Sequence, residues 1–159
     1  MDIENRRRYI DLSFWGFATL GCMSLIFFMS HKPAVESAEM SGFIVEWLLA
    51  HGIGKDLAGS LDFAVRKCAH MAEYFVLACC VSFLFIYIKK NYAIGVRIMA
   101  LIISVMYAVS DEIHQLFVPG RAGKASDVLI DSIGIAFAFI IITVYFKWRQ
   151  SSTYSAKAH

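Results

Sequence analysis

Charge is what this sequence has least of. Asp, Glu, Lys and Arg make up 18% of its 159 residues, and 58% are hydrophobic. A soluble globular domain carries about 25% charged residues, so the composition argues against a water-facing fold, as does a mean hydropathy of +0.59. The formal net charge is only +2. That is too little to imply a nucleic-acid partner, and no RNA-binding signature, zinc-finger spacing or basic stripe interleaved with aromatics is present. Cysteine is scarce too. Cys22, Cys68, Cys79 and Cys80 all fall in or beside apolar runs. Their spacing matches no zinc motif, and the adjacent Cys79 and Cys80 point to different faces of a helix. They read as small apolar filler, with no disulfide, metal or redox role. The length suggests one domain.

What the chain does have is long apolar runs. Leu12 to Met29 holds eighteen residues without a charge, about the length of a bilayer span and apolar on every face. Spans follow at 68–88, interrupted near its start by His70 and Glu73, at 92–110, with Arg97 near its beginning, and at 128–146, with Asp131 near its beginning. The first run is longer than the core of a cleavable signal peptide and reads as a retained span. The expectation is an all-α bundle of four transmembrane helices over residues 1–150, with 151–159 a disordered tail.

Orientation follows from the positive-inside rule. The termini and the loop between the second and third spans hold nine basic residues against Asp2, Glu4 and Asp11. The opposite segments hold six basic residues against ten acids. Both ends are therefore expected in the cytoplasm of a multi-pass plasma-membrane protein, with Arg97 snorkelling to the inner headgroups. In the first outer segment, Phe43, Ile44, Trp47 and Leu48 recur at helical spacing before Gly52 and Gly54. This predicts a short amphipathic helix over 41–51 in the outer interface. A second short helix, about 57–65, would lead into the second span. Trp15, Trp47 and Trp148 fit interfacial belts, and His31, His51 and His159 read as surface residues.

The ionisable groups gather at one end of the spans. Arg66, His70 and Glu73 fall within about 60° of one helix face. Tyr107, Asp111, His114 and Gln115 share a face of the third span. Asp127 and Asp131 stand one turn apart on the fourth, and Pro119-Gly120 marks a tight turn between the two. Near mid-bilayer a charged residue costs roughly 2.5–3.5 kcal/mol on insertion scales, so three helices carrying such groups should turn those faces together. The predicted product is a polar pocket opening outward.

Its inventory suits several tasks. His70, Glu73, Asp111, Glu112, His114 and Asp127 are candidate proton-handling groups, since burial tunes such side chains toward acid–base work. Arg66, Lys67, Tyr74, Gln115, Arg121 and Asp131 are candidate ligand contacts, with arginine offering a two-pronged match to phosphate or carboxylate. Two histidines among carboxylates could also hold a divalent metal, but the spacing specifies none and no cofactor is assigned. No Ser or Cys sits in a recognisable nucleophile setting. The competing reading is structural: Asp111 and Glu112 end a span, Asp127 caps the next, Arg66 and Lys67 anchor headgroups, and the polar layer locks the bundle or presents a partner surface. Transport has less support, because four spans are few and no Gly/Pro-broken pair marks a midplane site.

Four stretches resemble the VanZ-like family of bacterial membrane proteins. They are Phe28-Met29-Ser30 followed by Ser37 and Ser41; Arg66-Lys67-x-x-His70-x-x-Glu73-Tyr74; Ser110-Asp111-Glu112-x-His114-Gln115-x-Phe117-Val118-Pro119-x-Arg121; and Asp127-x-x-x-Asp131-x-x-Gly134. The third is the most specific. Two departures stand out: the family often has Asn where this chain has Asp131, and Ser-x-Gln-Pro where it has Ser30-His31-Lys32-Pro33. The resemblance implies a bacterial envelope setting and a link to lowered susceptibility to the glycopeptide teicoplanin. Membrane lipids, a lipid-linked envelope precursor or a glycopeptide-related ligand are the partners it suggests. It supplies that setting more firmly than any reaction.

Overall fold

The computed structural model describes residues 3–157, with the side chains of Ala38, Met40, Ser41 and 151–157 outside the description. Five helices follow one another: α1 Ile3–Ser30, α2 Ala34–Ala50, α3 Lys55–Lys89, α4 Ile94–Gln115 and α5 Ala125–Lys157. No strand occurs among the described residues. All but α2 are long and apolar enough to cross a membrane. The protein is a four-span helical membrane protein.

Several of the expected boundaries move. The helix expected at 41–51 begins earlier, at Ala34 directly after Pro33, a position where proline's missing N–H removes nothing. It stops where expected. Gly52 adopts φ +82°, and the carbonyls of Leu48 and Leu49 accept from the N–H groups of Ile53 and Gly52 at 3.1 and 3.0 Å. This closes the end in the paired pattern that a left-handed glycine permits. On α2, Leu48 is buried while Phe43 and Trp47 stay exposed.

The short helix expected at 57–65 and the span expected at 68–88 are one continuous helix of 35 residues. At 1.5 Å per residue that is about 52 Å, against a hydrocarbon core of about 30 Å. The polar run through Asp62, Arg66 and Lys67 therefore continues the helix beyond what a bilayer core can cover. Lys90, at φ 49°, ends α3. Asn91 then accepts the Ala93 N–H at 2.8 Å and turns the chain into α4. At its far end α5 runs on to Lys157, through part of the segment expected as a tail, and Ala158 and His159 lie outside the described residues.

Helix α3 packs on all four others, and its pairing with α5 is the most extensive. The crossings use small side chains: Ala78, Ala100, Ala108 and Ala138 are buried beside Ile26, Tyr74, Leu77, Val81 and Ile135. Helices in lipid gain most from such close approach, because lipid tails are as apolar as leucine and only packing distinguishes the two. Phe14, Phe17, Met106, Phe137 and Ile140 point outward, as a lipid-facing surface requires.

The contacts define two ends. At one, Arg8 donates to the carbonyls of Tyr87 and Ile88 at the end of α3, and Arg97 lies over the Phe146 ring while donating to the Tyr92 carbonyl at 2.8 Å. Arg97 thus folds back toward the start of α4, the direction that snorkelling requires. The other end, away from the described termini, gathers the polar residues.

Candidate functional site

The polar end is assembled by the last turn of α1, the first turn of α2, the 66–74 stretch of α3, the last turns of α4 and the first turns of α5. Its residues form two groups that overlap at Glu112, Gln115 and Arg121.

The first group bonds protein to protein. Ser30, 1% exposed, ends α1 and donates to Asp111 Oδ2 at 2.8 Å. Gln115, one turn beyond Asp111 on α4, donates to the same oxygen at 3.1 Å and lies 3.4 Å from the Ser30 hydroxyl. This buried knot ties α1 to α4. Tyr74, fully buried, has its hydroxyl near Asp111 without a hydrogen bond of ordinary geometry, and its ring lies 6.4 Å from that of Tyr107. Tyr107 in turn donates to the Met23 carbonyl of α1 at 2.6 Å.

Arg121 completes the same junction. Helix α1 carries no basic residue in its last turn, so its final carbonyls need donors from elsewhere. Arg121 reaches Lys32 O at 3.1 Å and Met29 O at 3.2 Å. Its position is set by the turn after α4, where Val118 is buried, the Arg121 N–H meets the Val118 carbonyl at 3.1 Å, and Gly120 takes φ +75°. Glu112 fixes the next stretch by accepting the Lys124 backbone N–H at 2.8 Å. Gly123 lies so close to Glu112 that a Cβ would stand 2.2 Å from its carbonyl oxygen.

His114 turns away from this junction. Its Nε2 lies 3.2 Å from His31 Nδ1, and its ring stacks on Phe27 at 4.7 Å. His31, read from sequence as a surface residue, is exposed but is part of this ring cluster.

The second group surrounds a cavity of about 260 Å³. Of the expected residues, Arg66, Lys67, His70, Glu112, Gln115, Arg121, Asp127 and Asp131 line it, whereas Glu73, Tyr74, Asp111 and His114 do not. Lys67 bonds Asp127 at 2.7 Å, joining α3 to α5. His70 Nδ1 stands 3.6 Å from Glu73 Oε2, and Arg66 Nε 3.6 Å from Asp62 on its own helix. The cavity also takes in Ser37 and Lys124, which sequence reasoning did not single out as site residues. Ser37 stood in the weakest of the motif stretches, and Lys124 had no signal beyond its charge. Among the described residues, no three His, Cys, Asp or Glu side chains converge as a metal site needs.

The Lys67–Asp127 bond is measurable. Both side chains are 22% exposed, and interhelical polar pairs in membranes contribute about 0.6 kcal/mol on average and at most about 1.7. A double-mutant cycle with Lys67→Gln and Asp127→Asn, read by thermal unfolding of purified protein, should give a coupling within that range. Strict additivity would mean that the pair does not form.

A family model described as VanZ/LLP1 matches residues 15–146, a stretch that contains every residue of both groups. No curated protein and no solved structure matches the chain.

Proposed function

The chain belongs to the VanZ/LLP1 family, and from that membership we propose that it is a bacterial envelope protein whose cavity binds a headgroup-bearing or lipid-linked anionic molecule on the outer face of the plasma membrane. Lowered susceptibility to teicoplanin would be the outward sign of that binding. The charge asymmetry of the loops supports cytoplasmic termini, which would turn the cavity outward.

One observation carries the reading: polar side chains at this end surround a void instead of filling it. A layer whose purpose was to lock helices would close on itself, since each interhelical polar pair contributes so little. Here Arg66, Lys67, Arg121 and Lys124 bring four cations to the wall of one cavity, the chemistry that grips phosphate or carboxylate. His70 stands among them and can take or give a proton there.

The structural reading holds for the other group. Ser30, Asp111 and Gln115 are consumed by bonds to one another, and Arg121 already uses two donors on α1 and the link that follows it. The polar layer therefore combines a lock and a cavity, and they call for different tests.

The cavity is tested by Arg66→Gln and His70→Gln, neither of which removes a helix–helix bond, beside Glu46→Gln on the exposed side of α2 as control. In a teicoplanin-sensitive host where the wild-type chain confers protection, both cavity variants should reduce protection to that of the host alone at equal membrane abundance. The control should retain it. Full protection from both cavity variants would sink the proposal.

A further inference from the structure

The cavity contains a carboxylate with no hydrogen-bond or ion-pair partner among the described residues. Asp131 is 3% exposed and lines the cavity one turn deeper along α5 than Asp127. Each neighbouring acid has a partner: Asp111 accepts from Ser30 and Gln115, Glu112 from the Lys124 backbone, and Asp127 from Lys67. Asp131 has none among the described residues. Glu112, Asp111 and Asp127 all stand close enough to repel it, and Lys67, the cation that offsets them, is already bonded to Asp127. A buried carboxylate in such surroundings is costly unless it takes a proton or something positive meets it.

The same wall carries the cations Arg66, Lys67, Arg121 and Lys124, together with the partnered carboxylates Glu112 and Asp127. The Arg66 side chain is 41% exposed and is held only at 3.6 Å by Asp62. Arg121 uses two of its N–H groups on the end of α1 and the link after it, and a guanidinium has five. The cavity wall thus carries two guanidinium groups as well as a carboxylate with no partner among the described residues. Its volume of about 260 Å³ lies just under the roughly 300–1,000 Å³ of pockets that take drug-sized ligands. It has room for a headgroup, and a glycopeptide antibiotic would not fit.

We propose that the cavity takes a zwitterionic phospho-amine headgroup, with its phosphate on Arg66 and Arg121 and its primary ammonium on Asp131. This rests on the binding role proposed above and names the class of ligand. A primary ammonium brings three N–H donors to a carboxylate that has no other, and charge-assisted bonds of this kind are the strong ones. The same chemistry occurs on a phosphatidylethanolamine lipid and on free phosphoethanolamine.

Purified full-length protein in detergent can be titrated by native mass spectrometry with short-chain phosphatidylethanolamine, its N-acetylated form and phosphatidylglycerol. Phosphatidylethanolamine should bind roughly tenfold or more tightly than the other two, the scale of one charge-assisted bond. Asp131→Asn should remove that preference and leave phosphatidylglycerol binding unchanged, whereas Arg66→Gln should weaken all three. The N-acetylated lipid tests the same contact on the wild-type chain, so the result does not hang on one variant folding. Competition by soluble phosphoethanolamine would mark the headgroup alone as the recognised part. Lack of competition would mark the lipid, and either outcome fits. Equal binding of the amine and non-amine lipids overturns the inference while leaving an anion-binding cavity, and so the proposed function, in place. No binding of any headgroup, together with unchanged susceptibility in the Arg66 and His70 variants, overturns both.

Discussion

Replacing Gly134 by alanine is expected to cost most of the folded protein. At this position α5 touches the backbone of α3: a Cβ would stand 2.1 Å from the Met71 carbonyl oxygen and 3.0 Å from its carbon. Neither atom can swing aside as a side chain would, so the two helices must separate. Their interface is the most extensive in the bundle. Added methyl groups in packed cores cost about 1–3 kcal/mol and occasionally more, and the upper end applies because backbone must yield. Gly21→Ala is the matched control. Nothing lies within 4 Å of its Cβ position, and alanine in a helix interior is favoured over glycine by about 1 kcal/mol. Thermal unfolding and monodispersity of the purified variants separate the two. Equal behaviour would mean that α3 and α5 do not approach as described.

The second large effect is expected from Asp111→Ala. The substitution strands the Ser30 hydroxyl and the Gln115 amide, 1% and 4% exposed, without the oxygen that both address. Each buried donor left without its acceptor costs about 1–3 kcal/mol, so folded protein should be largely lost. Asp111→Asn keeps an acceptor of the same shape and should cost less. Ser30→Ala removes one donor and should cost about 1 kcal/mol. Measured together, Ser30 and Asp111 should couple strongly; a stable Asp111→Ala protein would remove the knot from this account. Loss of teicoplanin protection in Asp111 variants would then report folding, which is why His70 and Arg66 are the better probes of the cavity.

The spans were legible because a charge-free run of eighteen residues has few other uses, and the polar end was legible because His70, Glu73 and Asp131 had no reason to lie inside spans. The convergence of eight expected residues on one cavity follows from the same cost of charge in lipid. What was hidden depends on distance in the chain. Ser30 meets Asp111 across 81 positions, and serine at a span end has no distinguishing pattern. Arg121 bonds backbone carbonyls, which carry no sequence signature, so its part in the lock was not legible beside its place on the cavity wall. The unity of α3 was obscured by Arg66 and Lys67, whose charges suggested a boundary between the short helix and the span. A helix tolerates such residues wherever their faces meet a cavity or water. That Asp131 lacks a partner while Asp127 has one cannot be read from two aspartates one turn apart.

The central claim, that this polar end holds a ligand cavity beside its lock, is tested most directly by electron cryo-microscopy of the full chain in nanodiscs containing phosphatidylethanolamine and phosphatidylglycerol. The account predicts headgroup density between Arg66, Arg121 and Asp131, with the Ser30–Asp111–Gln115 knot closed beside it. A cavity collapsed onto its own side chains, with Asp131 paired to Arg66 or Arg121, would contradict it.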